Sequence, residues 1–160
     1  MLLAKRSEKL IASIHQYQKH RASRGPIGWG LCRVGMLRHV FWTLVTASDI
    51  NRHAKIAKGV RFPHPNGVVV HKDAVIGEGC LIMQQVTIGQ MALGPAARNG
   101  APTIGDGAYI GAGAKVLGGI RIGERTRIGA NAVVLVDVPD DATAVGVPAR
   151  IIEREESASS

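Results

Sequence analysis

Branched apolar residues recur at every sixth position along most of this chain. From Val70 the series runs through Ile76, Ile82 and Ile88 and, after one interruption, through Ile104, Ile110, Val116, Ile122, Ile128 and Val134. Upstream, Ile50, Ile56 and Phe62 keep the same step before a two-residue slip. A period of six suits neither an α-helix nor a two-faced strand, and self-similarity at a fixed period marks a repeat architecture. Compact residues stand two places before many anchors (Ala54, Ala74, Cys80, Ala108, Ala114, Ala132), and glycine stands one place after (Gly77, Gly89, Gly105, Gly111, Gly123, Gly129). Each repeat therefore predicts a short strand whose branched residue fills the interior, followed by a corner that glycine eases. Three such edges close one triangular turn, so the anchors predict a mainly β fold, a parallel β-helix of about four coils. An ordinary sheet protein would need this register by accident, with odds on the order of 10⁻⁴ before the choice of frame is counted.

The first 48 residues follow another pattern. Leu2, Leu3, Leu10, Ile11 and Ile14 form a helical stripe, Gly25-Pro26 breaks it, and Trp29 to Ala47 form a second, more apolar segment. Residues 1–40 carry eight Lys or Arg against Glu8 alone, which accounts for most of the net charge of +8. The expected organisation is a basic helical arm over 1–48, a coil domain over 49–151 and a disordered tail over 152–160. The arm either packs on the coil or on a neighbouring subunit, or touches an anionic membrane surface. Nucleic acid is not an expected partner, because no recognition motif or aromatic platform accompanies the charge. No apolar run is long enough to predict a spanning helix, and the N-terminus lacks a signal-peptide pattern. Cys32 and Cys80 read as reduced packing residues, which together predict a cytoplasmic protein, peripheral at the inner membrane face if the arm meets lipid.

Identical edges carry no chemistry of their own, so function is sought where the period fails. One break is Phe62-Pro63-His64-Pro65-Asn66-Gly67, which pushes a histidine out between two prolines; the other is a loop over 90–100. A neutral imidazole can take the proton from a hydroxyl as that hydroxyl attacks a carbonyl, which makes His64 the candidate base, although a histidine in such a turn is also a common structural element. Asp49, fifteen residues earlier, is nearly one coil away and can stand beside it to orient the ring.

Several stretches narrow the reading: Ser48-Asp49-Ile50, Pro63 to Gly67, Gln85-Val86-Thr87-Ile88-Gly89, Ala101 to Gly107, the run from Gly111 to Gly119, Ile128 to Val134, and Val145-Gly146-Val147-Pro148-Ala149-Arg150. Across about two thirds of the chain, the segment from Asp49 to Ile151 resembles the hexapeptide-repeat acyltransferases, most closely the serine acetyltransferase group. The resemblance implies a left-handed coil, a homotrimer with sites between subunits, and acetyl-CoA as cosubstrate with no metal. It places the catalytic pair on His64 and Asp49, the pantetheine contacts on Ala112 and Ala130, the acetyl end near Gly89, and Arg150 in the cofactor-binding tail motif. Backbone N–H groups near Gly89 would hold the oxyanion.

The departures bear on the acceptor. Serine acetyltransferases commonly carry a second histidine where this chain has Ala101, an aspartate where it has Pro63, and a larger helical domain in place of the arm. Members that acetylate sugar hydroxyls of polysaccharides or their precursors look similar without that second histidine. The expected acceptor is therefore a saccharide hydroxyl, with L-serine as the alternative. Two readings of other classes are a zinc hydrolyase like the gamma-class carbonic anhydrases, whose paired ligand histidines are missing from the coil, and a non-catalytic scaffold that binds no CoA.

Overall fold

The computed structural model describes residues 2–23, 25–91 and 99–152, with residues 2–4 traced by backbone alone. Most of the loop expected at 90–100, and the tail beyond Ile152, lie outside the described residues. Two helices, α1 (Leu2–His20) and α2 (Pro26–Thr46), precede short strands. In order these are β1 (Asp49–Ile50), β2 (Lys55–Ile56), β3 (Val69–Val70), β4 (Val75–Ile76), β5 (Leu81–Ile82), β6 (Thr87–Gly89) and β7 (Thr103–Ile104). They continue as β8 (Tyr109–Ile110), β9 (Lys115–Leu117), β10 (Arg121–Ile122), β11 (Arg127–Ile128), β12 (Val133–Val134), β13 (Thr143–Gly146) and β14 (Ala149–Ile152).

The strands stack into three parallel sheets that form the sides of a prism: β1-β3-β6-β9-β12, β2-β4-β7-β10 and β5-β8-β11-β13, the last capped by antiparallel β14. Register is set by the repeat itself. Ile50 lies under Val70, Val70 under Ile88, Ile88 under Val116 and Val116 under Val134, so each anchor rests on its equivalent one coil away. All thirteen anchors are buried, as are the compact residues two places before them. Stacking buries the branched row continuously, which is where a coil with so few aromatics finds its core.

The glycines after the anchors act differently from the sequence expectation of an eased corner. A Cβ on Gly111 would sit 2.6 Å from the Ala130 nitrogen, and one on Gly105 would sit 2.7 Å from the Glu124 nitrogen. Gly77, Gly105, Gly111 and Gly123 are glycine because the next coil's backbone passes there, not because of an unusual φ. The left-handed corner lies two residues further on, and several residue types hold it: Gly79 (φ 69°), Gly107 (67°) and Gly113 (72°), but also Gln85 (58°), Arg125 (52°) and Asn131 (56°).

The arm docks through α1. Leu10, Ile11 and Ile14 are buried, and polar side chains tie the helix to the first coil. Gln18 Nε2 donates to the carbonyls of Arg52 and Ala54 (2.9 Å each), and His15 Nε2 lies 2.8 Å from the Ile56 carbonyl. Helix α2 packs on α1 through small residues: Gly35 faces the Tyr17 backbone, where a Cβ would have 2.9 Å. Among the described residues, no helix is long and apolar enough to cross a membrane.

Candidate active site

The corner between the third sheet and the first repeats from coil to coil. Gly113 N–H donates to the Gln84 carbonyl (2.9 Å), and Asn131 N–H donates to the Ala112 carbonyl (2.8 Å). Gln84, Ala112 and Ala130, each two residues past an anchor, therefore form a column parallel to the coil axis. The next position up belongs to the β13–β14 cap, where Arg150 pairs with Val145 and is exposed.

At the foot of the column stands the interrupted repeat. A parallel bridge between Arg61 and Leu81 keeps Phe62 in register, and Gln85 N–H donates to the Asn66 carbonyl (3.0 Å). Between these contacts the two extra residues are absorbed by a turn closed by Val68 N–H on the Pro65 carbonyl (3.1 Å), with Gly67 at φ 68°. That position of a type II turn demands a left-handed residue, which glycine adopts without strain. Phe62 and Pro65 are buried, so the turn is anchored on both sides while His64 between them is exposed. His64 thus occupies the corner position that the later coils fill with Gln84 and alanines.

Asp49 opens β1 on the adjoining side. Its N–H donates to the Val68 carbonyl (2.8 Å), and Gly67 N–H donates to the Ala47 carbonyl (2.7 Å), so the His64 turn and the start of β1 are laced together. Among the described residues, no hydrogen bond joins the His64 ring to the Asp49 carboxylate, and both side chains are exposed. Apo sites commonly hold such pairs apart until substrate arrives.

Gly89 closes β6, the middle strand of the same sheet. With Asp49, Asn51, Val69, Val70, His71, Lys72 and Ile88 it borders an open depression of about 240 Å³. Among the described residues, a Cβ there would meet Leu117 Cδ2 at 3.3 Å and Thr87 Cγ2 at 3.6 Å and no backbone. Within the chain, then, the column gathers His64, Ala112, Ala130 and Arg150 along one edge, while Asp49 and Gly89 share the adjacent face. Ala101 is half-buried and packs against the core.

Sequence reasoning passed over two residues. Gln84 stands between His64 and Ala112, and its Oε1 is buried without a partner among the described residues; its place two residues past Ile82 was the available signal. Lys72 faces the depression that Asp49 and Gly89 share, which only the stacking of coils reveals. Among the described residues, no three His, Cys, Asp or Glu side chains converge as a metal site would require.

The prism is a left-handed β-helix of the hexapeptide-repeat class, and residues 101–135 match the family described as "Bacterial transferase hexapeptide (six repeats)". A serine acetyltransferase of Synechococcus elongatus is 46% identical over 111 residues, 69% of this chain and 45% of that protein. Soybean serine acetyltransferase apoenzyme superposes with a TM-score of 0.66 at 35% identity, covering 91% of this chain and 69% of its own. A serine acetyltransferase solved in complex with CoA gives a TM-score of 0.67 at 37% identity, covering 88% and 55%. The chain belongs to the hexapeptide-repeat acyltransferases, in their serine acetyltransferase-like group. It spans about half the length of the curated relatives it matches.

Proposed function

We propose that the protein is an acetyl-CoA-dependent O-acetyltransferase. The observation that carries this reading is the column itself: an exposed histidine in a buried-sided turn, followed along one edge by positions whose small side chains leave the backbone open to an extended cosubstrate. In the reaction, the acceptor oxygen forms a bond to the thioester carbonyl carbon while His64 takes the hydroxyl proton. Asp49, close to the same corner, supports the imidazolium that results. Collapse of the tetrahedral intermediate breaks the C–S bond, and the proton passes from His64 to the departing CoA thiolate. Backbone N–H groups near Gly89 hold the oxyanion, Ala112 and Ala130 border the pantetheine arm, and Arg150 lies at its far end. Functional sites form between subunits of a homotrimer. His64→Ala should lower acetyl transfer by at least about 10² while leaving CoA binding nearly intact; full activity in that variant would overturn the assignment.

The acceptor these relatives favour is L-serine. The saccharide expected from sequence finds no support among them, since each of the proteins compared is a serine acetyltransferase. One observation keeps the sugar as a second reading: Ala101 fills with a core-packed methyl the position where that family commonly has a histidine. Thiol release from acetyl-CoA, measured against L-serine and a panel of sugars, separates the two. Turnover with serine at least a hundredfold above every sugar settles it for serine, and the reverse ratio for a saccharide.

For the arm we infer contact with an anionic membrane surface. Ile27, Leu37, Phe41 and Leu44 of α2 are exposed, and residues 1–40 carry eight Lys or Arg against Glu8 alone. Sedimentation with vesicles rich in phosphatidylglycerol, but not with phosphatidylcholine alone, is the expected result; equal partition to both, or to neither, would refute it.

A further inference from the structure

We propose that the corner where α1 meets the first two coils, lined by Arg21, His53, Lys55 and Lys72, is a binding site for the phosphate dianion of a small soluble molecule. These residues and Asp73 enclose an open cavity of about 540 Å³, separate from the column that carries the transferase chemistry. The proposal does not depend on the acetyl-transfer reading.

The cations are delivered by independent elements. Arg21 follows α1, its N–H held on the Tyr17 carbonyl at 2.9 Å. His53 lies on the corner between β1 and β2, fixed by its N–H on Asn51 Oδ1 (3.0 Å) and by an edge-on contact with the Tyr17 ring at 5.4 Å between centroids. Lys55 belongs to β2, with its N–H on the Ala74 carbonyl at 2.9 Å, and Lys72 sits one coil higher on the corner after β3. The backbones are therefore fixed before any ligand arrives, which reduces the ordering cost of binding.

The charges in this cavity are unbalanced. Among the described residues, Arg21, Lys55 and Lys72 form no ion pair, and the only carboxylate in the lining, Asp73, is turned toward His71, with Oδ2 3.8 Å from Nδ1. Three permanent cations and one carboxylate leave about two positive charges in one concavity, the complement of a dianion with three acceptor oxygens. The histidine adds a donor. Arg21 Nη1 lies 3.3 Å from His53 Nδ1, and since a guanidinium only donates, Nδ1 accepts and the neutral ring carries its proton on Nε2. The same surroundings hold His53 below its ordinary pKa, through burial first and then the charges of Arg52, Arg21 and Lys72. A single carboxylate would leave part of this charge unmatched. Lys72 also borders the Asp49–Gly89 depression, so an anion held here lies beside it.

The test is calorimetric titration of the full chain with inorganic phosphate and pyrophosphate, alongside vesicles of phosphatidylglycerol. Saturable binding of the free anions with one site per chain is expected. Losing one charge-assisted contact in Lys72→Gln or Arg21→Gln should weaken it about tenfold, whereas Lys58→Gln, exposed on the coil outside the cavity, should leave it unchanged. Because Lys72 is exposed, its variant retains the fold and keeps the test decisive even if Arg21→Gln loosens α1. The ring signals of His53 should move during the titration and saturate with the same midpoint. No saturable binding of either free anion, binding to vesicles alone, or equal weakening by Lys58→Gln would each overturn the proposal.

Discussion

The coil and helix α2 are both rich in large apolar side chains, and they treat them in opposite ways. In the coil every anchor is buried against its counterpart one turn away, and the outward positions are mostly polar or small, with Val69, Tyr109 and Val136 among the exceptions. In α2 the buried residues are Gly28, Gly35, His39 and Thr46, while Ile27, Trp29, Leu37, Phe41 and Leu44 face outward. The difference follows from what each surface packs against. A coil rung meets an identical rung, so the largest residue that fits repeats indefinitely. Helix α2 meets α1 at close range, so its inner face is selected for smallness and its large residues are left for another surface. The coil is complete as a hydrophobic unit; the arm is stable by attachment.

The largest expected effect lies on the coil side of this contrast. Ile110 is fully buried between Ile82 and Ile128, and Ile110→Ala removes three carbons from a row that cannot close up without disturbing both neighbours. Urea unfolding should show a loss of about 2–5 kcal/mol. A loss below about 1 kcal/mol would mean that the rungs are loosely packed and that the contrast with α2 is weaker than the burial suggests.

A smaller effect is expected at the seam between the two regions. His39 of α2 is almost wholly buried and borders, with Asp49, Arg52 and His53, a depression of about 300 Å³. Its ring is held below the ordinary histidine pKa, chiefly by burial and then by the Arg52 charge, with Asp49 opposing. The unfolded chain therefore takes up this proton first as pH falls. His39 costs nothing well above its unfolded value of 6.5, and stability declines as pH falls from there toward the lower folded value. His53 is displaced in the same direction, so the measurement is a difference: urea midpoints at neutral and mildly acidic pH for the wild type and for His39→Gln. The variant should show the shallower decline, and an identical pH dependence would show that the arm's buried face is not what titrates.

Much of this was legible in the chain, and what escaped has definite causes. The anchors announced themselves because one side chain recurs wherever one shape of space recurs, and His64 stood out because it sits where that recurrence breaks. The left-handed corners did not, since Gln85, Arg125 and Asn131 occupy the same backbone state as Gly79 and Gly107. The glycines after the anchors were visible, yet their cause was misread, because close passage of a backbone from the next coil cannot be seen in one repeat alone. The cationic corner was hidden for the same reason: Arg21, His53 and Lys72 are distant in sequence, and only the docking of α1 across the first coils brings them to one cavity. Gln84 shares the spacing of Ala112 and Ala130, which marks its place, but only the fold shows its amide oxygen buried without a partner among the described residues.

The smallest effect is expected where the side chains are among the most exposed. Leu44 is 77% accessible and Ile27 80%, so truncating either removes little that folding has buried. Leu44→Ala should change the unfolding free energy by no more than about 0.5 kcal/mol, against the several expected for Ile110→Ala, although both lose a branched apolar group. The comparison rests on α2 presenting this face to solvent in the free protein. If the face were instead covered by a second copy, Leu44→Ala would weaken the rise of the midpoint with protein concentration that a homotrimer shows, together with a larger share of stability. A Leu44→Ala variant with the wild type's concentration dependence and midpoint, but with less sedimentation on anionic vesicles, assigns the face to an external surface and keeps the coil and the arm as two different solutions to the placing of apolar side chains.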